Sequence, residues 1–118
     1  MLKTEMTTIV INTSFEGLHR YDNAPEEVLY LRNLHRHIFH VNVEMEVFHD
    51  NRELEFIMVK HNLDRFVFET FVDSAGVQSC EQIGKSICRF LIEQYGERRI
   101  ICTVLEDGEN GGKVYYEF

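Results

Sequence analysis

Apolar and polar residues alternate in the middle of the chain, from Ile38 to Val47. This two-residue period is typical of a β-strand with one buried face, because neighbouring strand residues point to opposite faces. Counting by twos, His35 and His37 share a face with five apolar residues. These are Phe39, Val41, Val43, Met45 and Val47. We therefore predict a strand that carries two imidazoles at the rim of a buried apolar face and runs to about His49.

The N-terminal part of the chain predicts a first strand followed by a loop. Residues 7–13 (TTIVINT) are rich in β-branched residues, which favour strands. Glu16-Gly17 and residues 22–25 are typical of a loop, and a short helical turn is expected to begin at Pro25. Residues 50–52 predict a turn after the central strand.

Residues 53–72 fit two different structures. Their β-branched and aromatic content favours a β-hairpin, whereas six apolar residues recur at helical spacing. These are Phe56, Val59, Leu63, Phe66, Val67 and Phe71. The pattern alone leaves both structures open.

The C-terminal third predicts one helix and two strands. Ser79 and Gln82 have the spacing of a capping box, an apolar stripe follows them, and Gly96 is a suitable helix end. Strands are predicted at residues 99–105 and 113–118, on either side of a glycine-rich turn.

Composition indicates one compact domain, residues 1–118, with 44% hydrophobic residues and a single proline. No apolar run has the length of a membrane span or the character of a signal peptide, so we expect a soluble, cytoplasmic protein without a membrane partner. The three cysteines lack metal-binding spacing and are expected to be reduced thiols. The formal net charge of −8 argues against a nucleic acid partner, because such binding depends on clustered Lys and Arg.

A third histidine, His19, lies just past the first strand-like run. Antiparallel pairing of the two segments would bring it beside His35 and His37. A His-x-His pair alone is weak evidence in a chain with six histidines. Three histidines with an open fourth position, however, form a catalytic zinc arrangement, so these three are our candidate ligands for Zn²⁺.

Two segments resemble the 6-pyruvoyl- and 6-carboxy-tetrahydropterin synthase family. Residues 14–21 (SFEGLHRY) are similar to the family's Phe-x-x-x-His-Arg segment. Residues 34–41 (LHRHIFHV) are similar to its His-Gly-His-aromatic segment, which opens a long strand. The resemblance implies that His19, His35 and His37 correspond to the three zinc ligands of that family.

The resemblance extends over nearly the whole chain and implies the fold. It favours a helix over residues 58–72, because residues 53–60 are similar to a family segment in which a short strand leads into a helix. The element order is then ββααββ, an α+β tunnelling fold in which a four-stranded antiparallel sheet carries two helices on one face. Family members join their sheets edge to edge into rings, which implies a homo-oligomer, a trimer or hexamer.

The resemblance also implies an activity. The family acts on dihydroneopterin triphosphate, and its members are carbon–oxygen lyases of tetrahydropterin or queuosine-precursor synthesis. A family glutamate near the start of the loop between the last two strands binds the pterin ring, and Glu106 is the candidate for that residue. The alternative for Glu106 is a solvated acid, since Asp107 and Glu109 lie beside it. A pterin or purine-like ligand is therefore expected.

Three positions depart from the family pattern. Leu31 stands at the position of the catalytic cysteine, Arg65 at that of the catalytic histidine, and Arg36 at that of the glycine between the metal histidines. The family's reaction needs groups that move protons. Cys80 is one possible replacement, because a helix N-terminus is expected to lower its pKa, and a small core residue is its other interpretation. Further replacements are His40, His61 and Asp64.

Three functions remain open at this point. The first is a zinc-dependent lyase of the family. The second is a member that has lost catalysis and serves as a pterin- or purine-binding or oligomeric scaffold protein, which the loss of cysteine at Leu31 favours. The third is an enzyme of the same fold with altered chemistry, such as a hydrolase or aldolase acting on a pterin.

Overall fold

In a computed structural model of the chain, residues 5–72 and 78–117 are described. Their elements are β1 (Thr7–His19), a 3-10 helix (Glu26–Arg32), β2 (His35–Val47), α1 (Phe56–Phe71), α2 (Cys80–Tyr95), β3 (Ile100–Glu106) and β4 (Asn110–Tyr116). The strands form one antiparallel sheet in the order β1-β2-β3-β4. The predicted α+β class and the predicted order of strands and α-helices are confirmed.

The alternating strand β2 lies in the middle of the sheet, and its apolar face is buried as predicted. Both α-helices pack on this face, because their buried residues belong to the same apolar cluster as those of the sheet. The buried residues of α1 are Val59, Leu63, Val67 and Phe71. Those of α2 include Ile83, Ile87, Cys88 and Leu91. The predicted layer of two helices on one face is therefore confirmed.

Both predicted α-helices are present. Residues 56–71 are helical, so the helix predicted at residues 58–72 is confirmed and the hairpin alternative is wrong. Helix α2 has the predicted capping box: the Ser79 hydroxyl accepts from the Gln82 N–H, and the Gln82 side chain accepts from the Ser79 N–H. Gly96 ends α2 with φ +87°, a conformation that glycine adopts without strain.

The loop predicted at Glu16-Gly17 is wrong, because β1 continues through these residues and pairs with β2 as far as His19. A Cβ atom at Gly17 would lie 3.2 Å from the Phe71 carbonyl oxygen and 3.3 Å from the Phe39 ring. The glycine therefore allows the end of α1 to approach the strand closely and does not interrupt it.

The remaining predicted elements differ in their limits. The helical turn expected at Pro25 is the 3-10 helix, which the Arg32 guanidinium ties down by donating to the Ala24 carbonyl at 2.8 and 3.0 Å. The last strand begins earlier than predicted, at Asn110, and its predicted end at Phe118 lies outside the described residues. Within the described part of the chain, no helix combines the length and apolarity needed to cross a membrane.

Candidate metal centre

The pairing of β1 with β2 brings the three predicted histidines together. In this ladder His19 is opposite His35, and His37 is opposite Gly17, so the three side chains meet at one end of the sheet. Each histidine offers one ring nitrogen, and these nitrogens all lie within 4.8 Å of one another. His19 is buried, and the other two are partly exposed. This cluster could hold a metal ion.

The tautomer of His35 is determined by its own loop. Its Nδ1 lies 2.7 Å from the Asn33 carbonyl oxygen, which can only accept a hydrogen bond. Nδ1 therefore carries the proton, and Nε2 keeps a lone pair. That Nε2 lies 3.2 Å from His19 Nδ1. Two nitrogens bound to one tetrahedral zinc lie roughly 3.3–3.4 Å apart, so the separation suits a shared metal ion.

The tautomer of His37 is determined by Asp107. His37 Nδ1 lies 2.7 Å from Asp107 Oδ2. Hydrogen bonds from the Ile38 N–H and from His37 lower the pKa of Asp107, so the carboxyl is ionised at neutral pH and can only accept. Nδ1 therefore donates, and His37 Nε2 keeps its lone pair. This Nε2 is buried and has no hydrogen-bond partner among the described residues.

Glu106 faces the same space as the histidines. Its Oε2 lies 3.3 Å from His37 Nε2, and its Oε1 lies 3.9 Å from His19 Nε2. The His37 contact lacks hydrogen-bond geometry, in keeping with a lone pair on Nε2. A carboxylate and a lone pair repel each other at this distance unless positive charge lies between them. The arrangement therefore suits a cation, and an unpaired buried nitrogen is satisfied by one.

The electrostatics of His19 favour the form that binds metals. Burial is the largest effect and lowers the pKa of His19, the Glu106 carboxylate raises it, and the imidazoles of His35 and His37 lower it again. The net change is downward, which favours the neutral imidazole. A neutral imidazole is the form of histidine that coordinates a metal.

A cavity of about 690 Å³ opens beside the histidine cluster. Its walls include His19, His35 and Glu106 together with the first turn of α2. Leu31 also lines it, so an apolar side chain stands in the cavity wall. Among the cavities of the described residues this one adjoins the histidines. A second cavity, of about 710 Å³, lies along β1 and α1 without them.

Cys80 lies at this cavity, but the pKa expected for it is wrong. Burial, followed by the carboxylates of Glu106 and Glu81, raises the pKa of the Cys80 thiol to about 11. Its Sγ lies 3.9 Å from Glu106 Oε1. Desolvation and two negative neighbours therefore outweigh the helix N-terminus, and the thiol stays protonated at neutral pH.

The other residues considered as proton carriers lie away from the cavity. His40 is exposed and belongs to the opposite face of β2 from His37. His61 is exposed on α1. Asp64 accepts hydrogen bonds from the Thr13 hydroxyl and, at 3.1 and 3.2 Å, from Lys60. None of the three lines the cavity beside the histidines.

Asp107 is the site residue that sequence reasoning missed. In the sequence it is a neighbour of Glu106 and the first residue of an Asp-Gly turn. Its contact with His37 joins residues 70 positions apart, which the turn signal does not reveal.

No model of a known protein family matches the chain, and no curated protein matches it either.

Proposed function

We propose that this chain is a zinc protein with the tunnelling fold that binds a pterin or purine-like molecule beside its metal, as in the 6-pyruvoyl- and 6-carboxy-tetrahydropterin synthases. The observation that carries the proposal is the convergence of His19 with the unprotonated Nε2 atoms of His35 and His37 next to a cavity. The antiparallel sheet with two helices on one face, in the order ββααββ, supports the same fold.

Zinc is the proposed metal because of the donor set. Three imidazoles held by two paired strands, with the cavity on an open side, are typical of catalytic zinc sites. His35 and His37 are both oriented by hydrogen bonds from their second ring nitrogens, as is usual for metal-binding histidines. A bound zinc ion supplies Lewis acidity toward an oxygen atom of the ligand.

Glu106 is the proposed anchor for the ring of the ligand. Its carboxylate is partly exposed and lines the cavity near the histidines. A carboxylate suits the fork of N–H donors that a pterin or guanine-like ring presents, because its two oxygens accept two parallel hydrogen bonds. The anchor would hold the ring with its substituents near the metal.

Carbon–oxygen lyase activity is the proposed reaction, and a binding protein without catalysis is the second candidate. Two observations favour the second candidate. Leu31 cannot move a proton, and the raised pKa of Cys80 keeps its thiol protonated, so that it cannot accept a proton at neutral pH. A protonated Cys80 remains able to donate a proton, and it lies in the cavity.

The deciding experiment incubates the zinc-loaded protein with dihydroneopterin triphosphate and follows the products by mass spectrometry. Loss of triphosphate with formation of a new pterin supports the lyase. Saturable binding by calorimetry without a product supports the binding protein. Absence of both binding and turnover with dihydroneopterin triphosphate and with guanine analogues contradicts the proposed ligand class.

A further inference from the structure

Asp107 ties the turn between β3 and β4 to the start of β2 through three hydrogen bonds. Its Oδ2 accepts from His37 Nδ1 at 2.7 Å, and its Oδ1 accepts from the Ile38 N–H at 3.0 Å. The Asp107 N–H in turn donates to the Ile38 carbonyl at 2.7 Å. Both carboxylate oxygens are therefore engaged, and the backbone of the same residue is held as well.

The turn itself determines where this carboxylate lies. Asp107 and Gly108 have φ angles of +54° and +74°, and the Glu109 N–H closes the turn onto the Glu106 carbonyl at 3.0 Å. Asp, Asn and Gly are the residues that adopt positive φ most readily. The turn thus presents a carboxylate at a fixed place beside His37.

We propose that Asp107 is a positioning residue that holds His37 in the Nδ1–H tautomer with Nε2 directed at the metal. A metal-binding histidine commonly donates its other N–H to a carboxylate, which orients the ring and increases its basicity. The inference rests on the metal-binding part of the proposed function and is independent of the ligand. It assigns to the β3–β4 turn control over the affinity of the metal site.

The test is Asp107→Asn, because the Ile38 N–H determines how the new amide is oriented. That N–H needs an acceptor, so the amide oxygen faces Ile38 and the amide NH₂ faces His37 Nδ1. The donor then forces the proton of His37 onto Nε2, the nitrogen needed by the metal. We expect zinc affinity to fall at least about 10–100-fold, the range for losing such a partner. Asn also tolerates positive φ, so the turn is retained.

Two further variants separate this role from a structural one. Asp107→Gly removes the carboxylate without strain at positive φ and lets water accept the His37 proton, so we expect a smaller loss of affinity than for Asp107→Asn. Glu109→Gln removes the same charge from an exposed position in the same turn. Its zinc affinity should equal that of the wild type. If Asp107 only filled space, Asp107→Asn would lose less zinc affinity than Asp107→Gly.

The measurements are zinc competition against a chromophoric chelator and nitrogen NMR of the histidine rings in chelator-treated protein at about pH 8, where imidazoles are neutral. We expect Nδ1–H for His37 in the wild type and Nε2–H in Asp107→Asn. Equal zinc affinity of the wild type and Asp107→Asn, or an unchanged tautomer, overturns the inference. If the wild type binds no zinc, the proposed function fails, and the ring spectra still decide whether Asp107 determines the tautomer.

Discussion

In His35 and His37, hydrogen-bond acceptors of different kinds hold the proton on Nδ1 and leave the lone pair on Nε2. The partner of His35 is the Asn33 carbonyl, two residues away on the same segment. The partner of His37 is a side chain 70 residues away. A carbonyl cannot be removed by mutation, whereas a carboxylate can. A substitution at Asp107 can therefore change the tautomer of His37 without altering its ring, whereas no side-chain substitution removes the partner of His35.

Replacing either of these proposed ligands tests the proposed metal site directly. We expect about one zinc per chain in the wild type and loss of that zinc in His35→Ala or His37→Ala, because removal of one of three ligands takes away most of the affinity. Elemental analysis of protein purified without chelators measures this. His40→Ala is the matched control, since this exposed residue lies on the same strand but on the other face. Zinc loss in the control, or retention in His37→Ala, would contradict the ligand set.

Glu106→Gln tests the proposed role of Glu106 as the anchor of the ligand ring. The amide keeps the size of the side chain but loses the charge and one acceptor, so we expect ligand affinity to fall by about 2–4 kcal/mol, roughly thirty- to a thousand-fold. Zinc content and melting temperature should stay nearly unchanged. Calorimetric titration with neopterin or a guanine analogue measures the affinity. Equal affinities would make Glu106 a solvated acid without a role in ligand binding. A fall in zinc content would instead assign Glu106 to the metal.

The lowered pKa of His19 predicts a pH dependence of folding in the chelator-treated protein. The pKa in the unfolded chain is about 6.5, and the folded value lies below it, so the unfolded chain binds more protons in this window. The contribution of His19 to the free energy of unfolding is therefore complete above about pH 6.5, and it is lost as the pH falls through the pKa of the folded protein. We measure the free energy of unfolding in urea at about pH 7.5 and at about pH 5.5. It should change less between these pH values for His19→Gln than for the wild type.

The control for this pH dependence is His61→Gln, which removes an exposed histidine of α1. Its change in unfolding free energy between the two pH values should match that of the wild type. Identical changes in all three proteins would contradict a role for His19.

At the scale of the elements, the regular patterns could be predicted and the exceptions could not. The alternation along β2 was sufficient to place His35 and His37 on the buried face, and the capping box at Ser79 located the start of α2. Gly17 was misjudged because a glycine in a strand signals a break unless a neighbour approaches closely, and that neighbour, the end of α1, lies 54 residues further along the chain. Such contacts depend on packing.

Cys80 and Asp107 show the same limit within the site. The local rule for Cys80, a lowered pKa at a helix N-terminus, is correct in isolation but is overcome by burial and by two carboxylates. The local rule for Asp107 is equally correct, since Asp-Gly does form the turn, yet it does not reveal that the carboxylate reaches His37. Sequence reasoning supplies the local conformation in each case. The pairing of β2 with β3 brings Asp107 to His37, and the packing of α2 on the sheet brings Cys80 to Glu106.

The cap of α2 is the element-scale prediction. In Ser79→Ala the Gln82 N–H loses its acceptor, and we expect the free energy of unfolding to fall by about 1 kcal/mol. Ser86→Ala is the control, because it changes the same side chain inside the same helix, where alanine is the better helix former. Urea denaturation of both variants measures the difference. Equal stability of Ser79→Ala and the wild type would mean that water replaces the cap without cost.

At the scale of the whole molecule, the sheet formed by residues 5–72 and 78–117 has two open edges, β1 and β4. An edge strand offers unpaired N–H and carbonyl groups to other chains, and proteins commonly protect such edges with lysine, proline or short strands. β1 extends over 13 residues and contains neither lysine nor proline. β4 has Lys113 but also Val114, Tyr115 and Tyr116. The edges are therefore suited to pairing, and β1 is the less protected of the two.

We predict from these edges that the protein is a homo-oligomer in which β4 of one copy pairs with β1 of the next. The resemblance to the pterin synthases implies a trimer or a hexamer of two stacked trimers. Light scattering at micromolar concentration should give three or six chains, and a monomer would contradict the prediction. Val10→Lys puts a charge on the exposed face of β1 and should weaken assembly, whereas Thr103→Lys on the inner strand β3 should not.

Because each chain has a formal net charge of −8, copies repel one another, and about 0.5 M salt should strengthen the wild-type oligomer by screening. Dissociation in salt would instead indicate an interface held by ion pairs.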